Sequence, residues 1–134
     1  MGNNPVFPSS LALLGRLLLA AIFITSGVEK LADPSGTVAY IASANLPLPW
    51  AGYAIAVVVE LGGSILLVVG YLTRPAALAL AIFTLASALG FHMHFADQNQ
   101  TIHFMKNLAI TGGFLQIVAF GAGGFSLDAR AGWA

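Results

Sequence analysis

Residues 53–72 read YAIAVVVELGGSILLVVGYL, a run whose one charged side chain, Glu60, stands near its centre. What surrounds this run decides the fold. In water it would be the buried core of a large domain; in lipid it is a helix that crosses the bilayer. Composition separates the two. Charged residues make up 7% of the 134 residues and hydrophobic residues 58%, where an ordinary soluble domain carries about 25% charged residues. Mean hydropathy is +0.88. Five basic and five acidic residues cannot cover the surface of a soluble domain of this length. A surface that faces hydrocarbon needs no such cover, so the chain reads as an integral membrane protein with the lipid bilayer as its first partner.

Several function classes fall away at once. Formal net charge is zero and no basic run occurs, so nucleic-acid binding has no electrostatic footprint. The chain has no cysteine, which excludes thiol–disulfide exchange, thiolate metal sites and a cysteine nucleophile of its own.

A membrane-crossing helix needs about 20 mostly apolar residues. Residues 10–31, 50–72, 75–95 and 102–120 meet or approach that length. The first contains Arg16 and reads as a retained span; the last is the most polar. The expected fold is therefore all-α: a single-domain bundle of four transmembrane helices. Between the first two spans lies DPSGTVAYIASANLP, residues 33–47, in which Val38 and Ile41 share one apolar face. It reads as a short interfacial or re-entrant helix. Only a few residues around Thr73 join the second and third spans, which forces an antiparallel hairpin. With four spans both termini share a side. Arg16, Arg74 and Arg130 then face Lys30 and Lys106 across the membrane, a bias toward both termini inside.

Two polar clusters interrupt the apolar pattern. Glu60 stands roughly 15 Å into its span, where a charge costs on the order of 3 kcal/mol. It must turn inward. Ala56, Gly63 and Ser64 lie on the same helical face and let a neighbour approach. Arg16 in the first span is the expected partner, and the two would form a polar core as a register-locking pair, a proton or quinone site, or a contact with a partner subunit. The second cluster is FHMHFADQNQTIHFMKN, residues 91–107. It gathers His92, His94, His103, Lys106 and Asn107 at one mouth of the bundle, with Glu29 and Lys30 at the same level. His92, His94 and His103 have the chemistry of metal ligands. On a helix, however, the H-x-H spacing points its two rings roughly 200° apart, so no metal site is assigned. The remaining readings are interfacial histidines with a snorkelling lysine, or donors to a lipid head group or quinone carbonyl. The tail GFSLDARAGWA is expected to lie solvated at the surface, Asp128 and Arg130 included.

LLGRLLLAAIFITSGVEKL (residues 13–31), VELGGSILLVVGYLTRPAAL (59–78), FHMHF (91–95) and IHFMKNLAITGGFLQIVAFGAGGFSLD (102–128) together resemble the bacterial DoxX family. The positions that carry the likeness are Arg16, Gly27, Lys30, Glu60, Gly62, Gly63, Arg74, His103, Lys106 and Asn107. The resemblance implies a small four-helix protein of the bacterial cytoplasmic (inner) membrane. It also implies an accessory or anchor subunit of a quinone-linked redox system that binds a hydrophobic ligand or docks a redox-protein partner. No autonomous activity is expected, and a quinone is the one cofactor or ligand implied. Alternatives from other classes are a membrane enzyme of quinone or quinol chemistry and a small proton-coupled transporter resting on Glu60. Paired glycines at 62–63 and 112–113 suit either a homo-oligomer or packing within one bundle.

Overall fold

A computed structural model describes residues 5–133, and every regular element in that range is helical. The order is α1 (Val6–Ala32), α2 (Pro34–Ser43), α3 (Pro49–Val57), a π-helical turn (Val58–Gly62), α4 (Gly63–Val69), α5 (Thr73–Phe91), α6 (Gln98–Phe120) and α7 (Leu127–Arg130). The helix α3, the π turn and α4 form one unbroken rod, Pro49–Val69.

Local chemistry sets the limits. Lys30 sits in the last turn of α1, where a cation opposes the helix dipole favourably. Asp33 then accepts from the Gly36 N–H and caps α2, whose first residue is Pro34. Pro49 opens α3 in the same way. Gly70 ends α4 in the left-handed conformation (φ 70°), and both its N–H and that of Tyr71 turn back to the Leu66 carbonyl. Leu72 is also left-handed (φ 47°), an uncommon state for a branched side chain. Asp97 caps α6, accepting from Asn99 N–H. Gly121, at φ 82°, ends it.

The core joins α1, α4, α5 and α6. Ala20, Phe23, Leu67, Ala77, Leu80, Ala81 and Phe114 form its buried centre. Phe23 and Phe114 meet with ring centroids 5.4 Å apart. Alanines and glycines at the crossings let the rods close in, since lipid tails offer no hydrophobic drive of their own. A side chain on Gly27 would run into Leu61, and one on Gly63 into Leu80. The outward faces carry Leu11, Leu14, Leu18 and Ile22 of α1 and Ile65 and Ile82 opposite, all exposed.

Three helical rods are long and apolar enough to cross a membrane: Val6–Ala32, Pro49–Val69 and Thr73–Phe91. The helix α6 has 23 residues, roughly 34 Å, and lies along α5. Its polar first half keeps it below the hydropathy of the other three. The expected span limits shift outward for α1, which begins at Val6, and inward for the second rod, which stops at Val69. Thr73 is the first helical residue of α5 and does not cap it from its own side chain.

Gly27→Val tests the closeness of α1 to the second rod, because its first added carbon would lie 2.6 Å from Leu61 Cδ2. The expected loss is about 1–3 kcal/mol in thermal or denaturant unfolding in detergent. Gly112→Ala, which meets nothing within 4 Å, leaves stability unchanged or slightly raises it.

Candidate functional site

Glu60 lies in the π turn, the only non-α turn inside a membrane-length rod among the described residues. Ala56, Glu60, Gly63, Ser64 and Leu67, spaced three or four residues apart, all lie on the buried side. Ser64 donates its hydroxyl to the Glu60 backbone carbonyl, which holds the turn.

The carboxylate faces α1. Its Oε1 accepts from Ser26 Oγ at 3.2 Å and from Lys30 Nζ at 3.2 Å, and Lys30 Nζ stands 3.0 Å from Oε2. Lys30 also donates to Ser26 Oγ at 2.7 Å. The lysine is anchored further by Tyr53, whose hydroxyl donates to the Lys30 carbonyl at 3.2 Å. The Lys30 side chain is 22% exposed and that of Glu60 5%, so the pair spans the wall between the protein interior and an open space.

That space is a cavity of about 790 Å³ between α1, α2, α3 and its π turn, α5 and α6. Phe23, Phe83, Ile110 and Ala56 give it apolar walls, and Thr84 and Asn107 add polar points opposite the ion pair. Asn107 reaches the Thr84 carbonyl at 3.4 Å. The short helix α2 roofs it: Tyr40 stacks on Phe91 of α5 with centroids 5.0 Å apart. Glu29 and Asp33 line the rim.

The structure thus divides the outer-mouth residues expected from sequence. Glu29, Lys30, His92 and Asn107 line the cavity; His94, His103 and Lys106 do not. His92 bonds Gln100 through Nδ1 at 3.0 Å and stacks on His103 at 5.2 Å between centroids. Helix α5 ends at Phe91, so His92 and His94 sit on non-helical backbone. Among the described residues no group of three or more His, Asp or Glu is placed to hold a metal ion.

The expected Arg16–Glu60 pair does not form. Gly27 packs on Leu61 and Ser26 on Glu60, a register that leaves Arg16 ten residues away along α1, roughly 15 Å. Depth counted from the ends of the apolar runs does not give this register, because the second rod does not start level with the end of α1: the loop and α2 lie between them. Arg16 belongs instead to a second polar cluster at the other end. It is 1% exposed. Its Nη1 donates to the carbonyls of Leu67 (2.6 Å) and Val68 (3.4 Å), its Nη2 to that of Phe125 (2.5 Å). These include the last carbonyls of α4, where a cation meets the negative helix end.

The tail supplies the matching anion. Asp128 is 5% exposed, not solvated as its short polar segment implied. Its two oxygens accept from the N–H groups of Leu72 and Thr73, each at 2.9 Å, and so cap α5 from a distant part of the chain. Asp128 N–H in turn donates to the Gly70 carbonyl at 2.8 Å. Cation and anion thereby clamp the α4–α5 turn from its two helix ends. Burial pushes the Asp128 carboxyl upward, but the Thr73 side chain, the two N–H donors and the Arg16 charge outweigh it and hold the group below the usual carboxylate range. Arg130 is exposed, as expected.

A carboxyl held low in the folded state stabilises above its unfolded value and loses that contribution as pH falls through the folded value. Asp128→Ala, which strands two N–H groups at the α5 start, is expected to cost about 1–3 kcal/mol near neutral pH. The gap between wild type and Asp128→Asn should shrink on acidification below about pH 4, as read by thermal unfolding across a pH series.

The DoxX family model matches residues 11–93. Two Escherichia coli (strain K12) proteins are similar over most of their length. Inner membrane protein YqjF is 39% identical over 118 residues, 87% of this chain and 88% of that protein. Inner membrane protein YphA is 39% identical over 126 residues, 90% of this chain and 89% of that protein. No solved structure matches the chain significantly. The family match covers the segments that hold Arg16, Lys30 and Glu60, and the chain belongs to the DoxX family.

Proposed function

We propose that this chain is a single-domain, four-span protein of the bacterial inner membrane whose cavity binds a hydrophobic molecule with a polar head. In this reading it serves a quinone-linked redox system as an accessory or anchor subunit. The observation that carries the reading is the Lys30–Glu60–Ser26 group, set in the wall of a mainly apolar cavity of about 790 Å³. Pockets of this size, apolar with a few converging polar groups, suit small ligands. An ionisable pair inside a membrane segment is a site by default, because its cost must be offset by some use.

The supporting points are separate. Helix α6 has the length of a fourth span, and its Asn107 lines the cavity. Helix α2 has the place of an interfacial roof. The two relatives carry the name inner membrane protein. Arg74 and Arg130 on the side of the termini favour both termini inside. A quinone ring is the ligand the family implies, with Lys30 and Asn107 as donors to its carbonyls.

The test is stabilisation of the detergent-purified protein by a short-chain quinone such as decylubiquinone. At a hundredfold excess over Kd the expected gain is ~2.7 kcal/mol. Ser87→Trp, which fills the cavity wall and leaves the ion pair in place, should abolish it. No stabilisation of the wild type by the quinone, or equal stabilisation of the filled variant, would remove the reading.

A further inference from the structure

The charges around the cavity point to the class of head group it prefers. Three carboxylates line it, Glu29, Asp33 and Glu60, against one ammonium, Lys30. With Lys30 matched to Glu60, the rim keeps two uncompensated negative charges. Asp33 is partly engaged, since its side chain caps α2. The Glu29 side chain is exposed and makes no hydrogen bond or ion pair among the described residues. Glu60 is 4% exposed, and its Oε2 accepts no hydrogen bond of good geometry although Lys30 stands within ion-pair distance. A lysine so placed is a counter-ion on a flexible stem and can swing toward the rim carboxylates when another cation arrives. Aromatic faces complete the pattern: Phe23, Tyr40, Phe83 and Phe91 all line the space, and ring faces attract cations.

From these features we infer that the cavity selects by charge: among hydrophobic molecules that fit, those with a cationic head bind tightest and anionic ones are rejected. The inference rests on the reading of the cavity as a ligand site and adds the class of ligand. Glu29 and Asp33 are exposed, so their pull on a cation is strongest at low ionic strength. The carboxylates on the rim also favour entry of cations from the aqueous edge of the bilayer.

Two ions of the same shape and opposite charge, tetraphenylphosphonium and tetraphenylborate, test this directly. Binding to the purified protein is measured by equilibrium dialysis, with protein-free micelles subtracted. The phosphonium is expected to bind on the order of tenfold or more tighter than the borate. Glu29→Gln, an exposed change that leaves the fold intact, should lower phosphonium binding, and Glu60→Gln should lower it further. Should Glu60→Gln fail to fold, the Glu29→Gln and Asp33→Asn pair carries the test, since asparagine can still cap α2. Equal or tighter binding of the borate would overturn the inference, as would phosphonium binding unchanged in all variants. If decylubiquinone binds and neither ion does, charge selection fails while the cavity reading stands. If none of the three binds, the cavity reading fails as well.

Discussion

Hydrocarbon cannot solvate a charge, and this constraint orders the whole molecule. Each ionisable side chain buried within the membrane-length rods must find its partners inside the protein. Glu60 meets Lys30 and Ser26; Arg16 meets three carbonyls and faces Asp128. These two groups of contacts lie at opposite ends of the contact between α1 and the second rod. Packing joins the rods as well: Gly27 lies under Leu61, and Ala20, Phe23 and Leu67 share one buried cluster. A slip of one turn would strand both charges at once, so polar satisfaction and packing specify the same register.

The two ends then differ in purpose. At the Arg16 end two buried side chains close the α4–α5 turn: Arg16 takes the Leu67 and Val68 carbonyls, and Asp128 the Leu72 and Thr73 N–H groups. The cation lies where α4 ends and the anion where α5 begins, each in the favourable sense of the helix dipole. That end is closed, and its chemistry is that of a structural clamp. The Glu60 end is open. A π turn, an ion pair with spare geometry, and a roof held by one aromatic stack surround a cavity instead of a packed core. A protein that needed only stability would fill such a space.

How far this was legible in the sequence varies with the range of the interaction. The helices and the inward face of Ala56, Glu60, Gly63 and Ser64 follow from local pattern. So does the membrane as solvent, which needs only composition. The partner of Glu60 did not follow, because it depends on the register of two rods, set by the packing of Gly27 on Leu61. Ser26 and Lys30 stand four residues apart on one face of α1, which is the signal that would have found them. Asp128 was hidden for another reason: it lies in a short polar tail and reaches Leu72 and Thr73 over some 55 residues of chain. The histidines were legible as a group but not in their division, since that turns on α5 stopping at Phe91 and freeing His92 from the helix.

The most direct measurement of the central claim is a pair of double-mutant cycles on unfolding stability in detergent. One uses Lys30→Met with Glu60→Gln, the other Arg16→Met with Glu60→Gln. Contacting, charge-paired residues couple by about 0.5–3 kcal/mol, and distant ones add within about 0.5 kcal/mol. The account predicts coupling in the Lys30 cycle and additivity in the Arg16 cycle. Additivity between Lys30 and Glu60 together with coupling between Arg16 and Glu60 would contradict it.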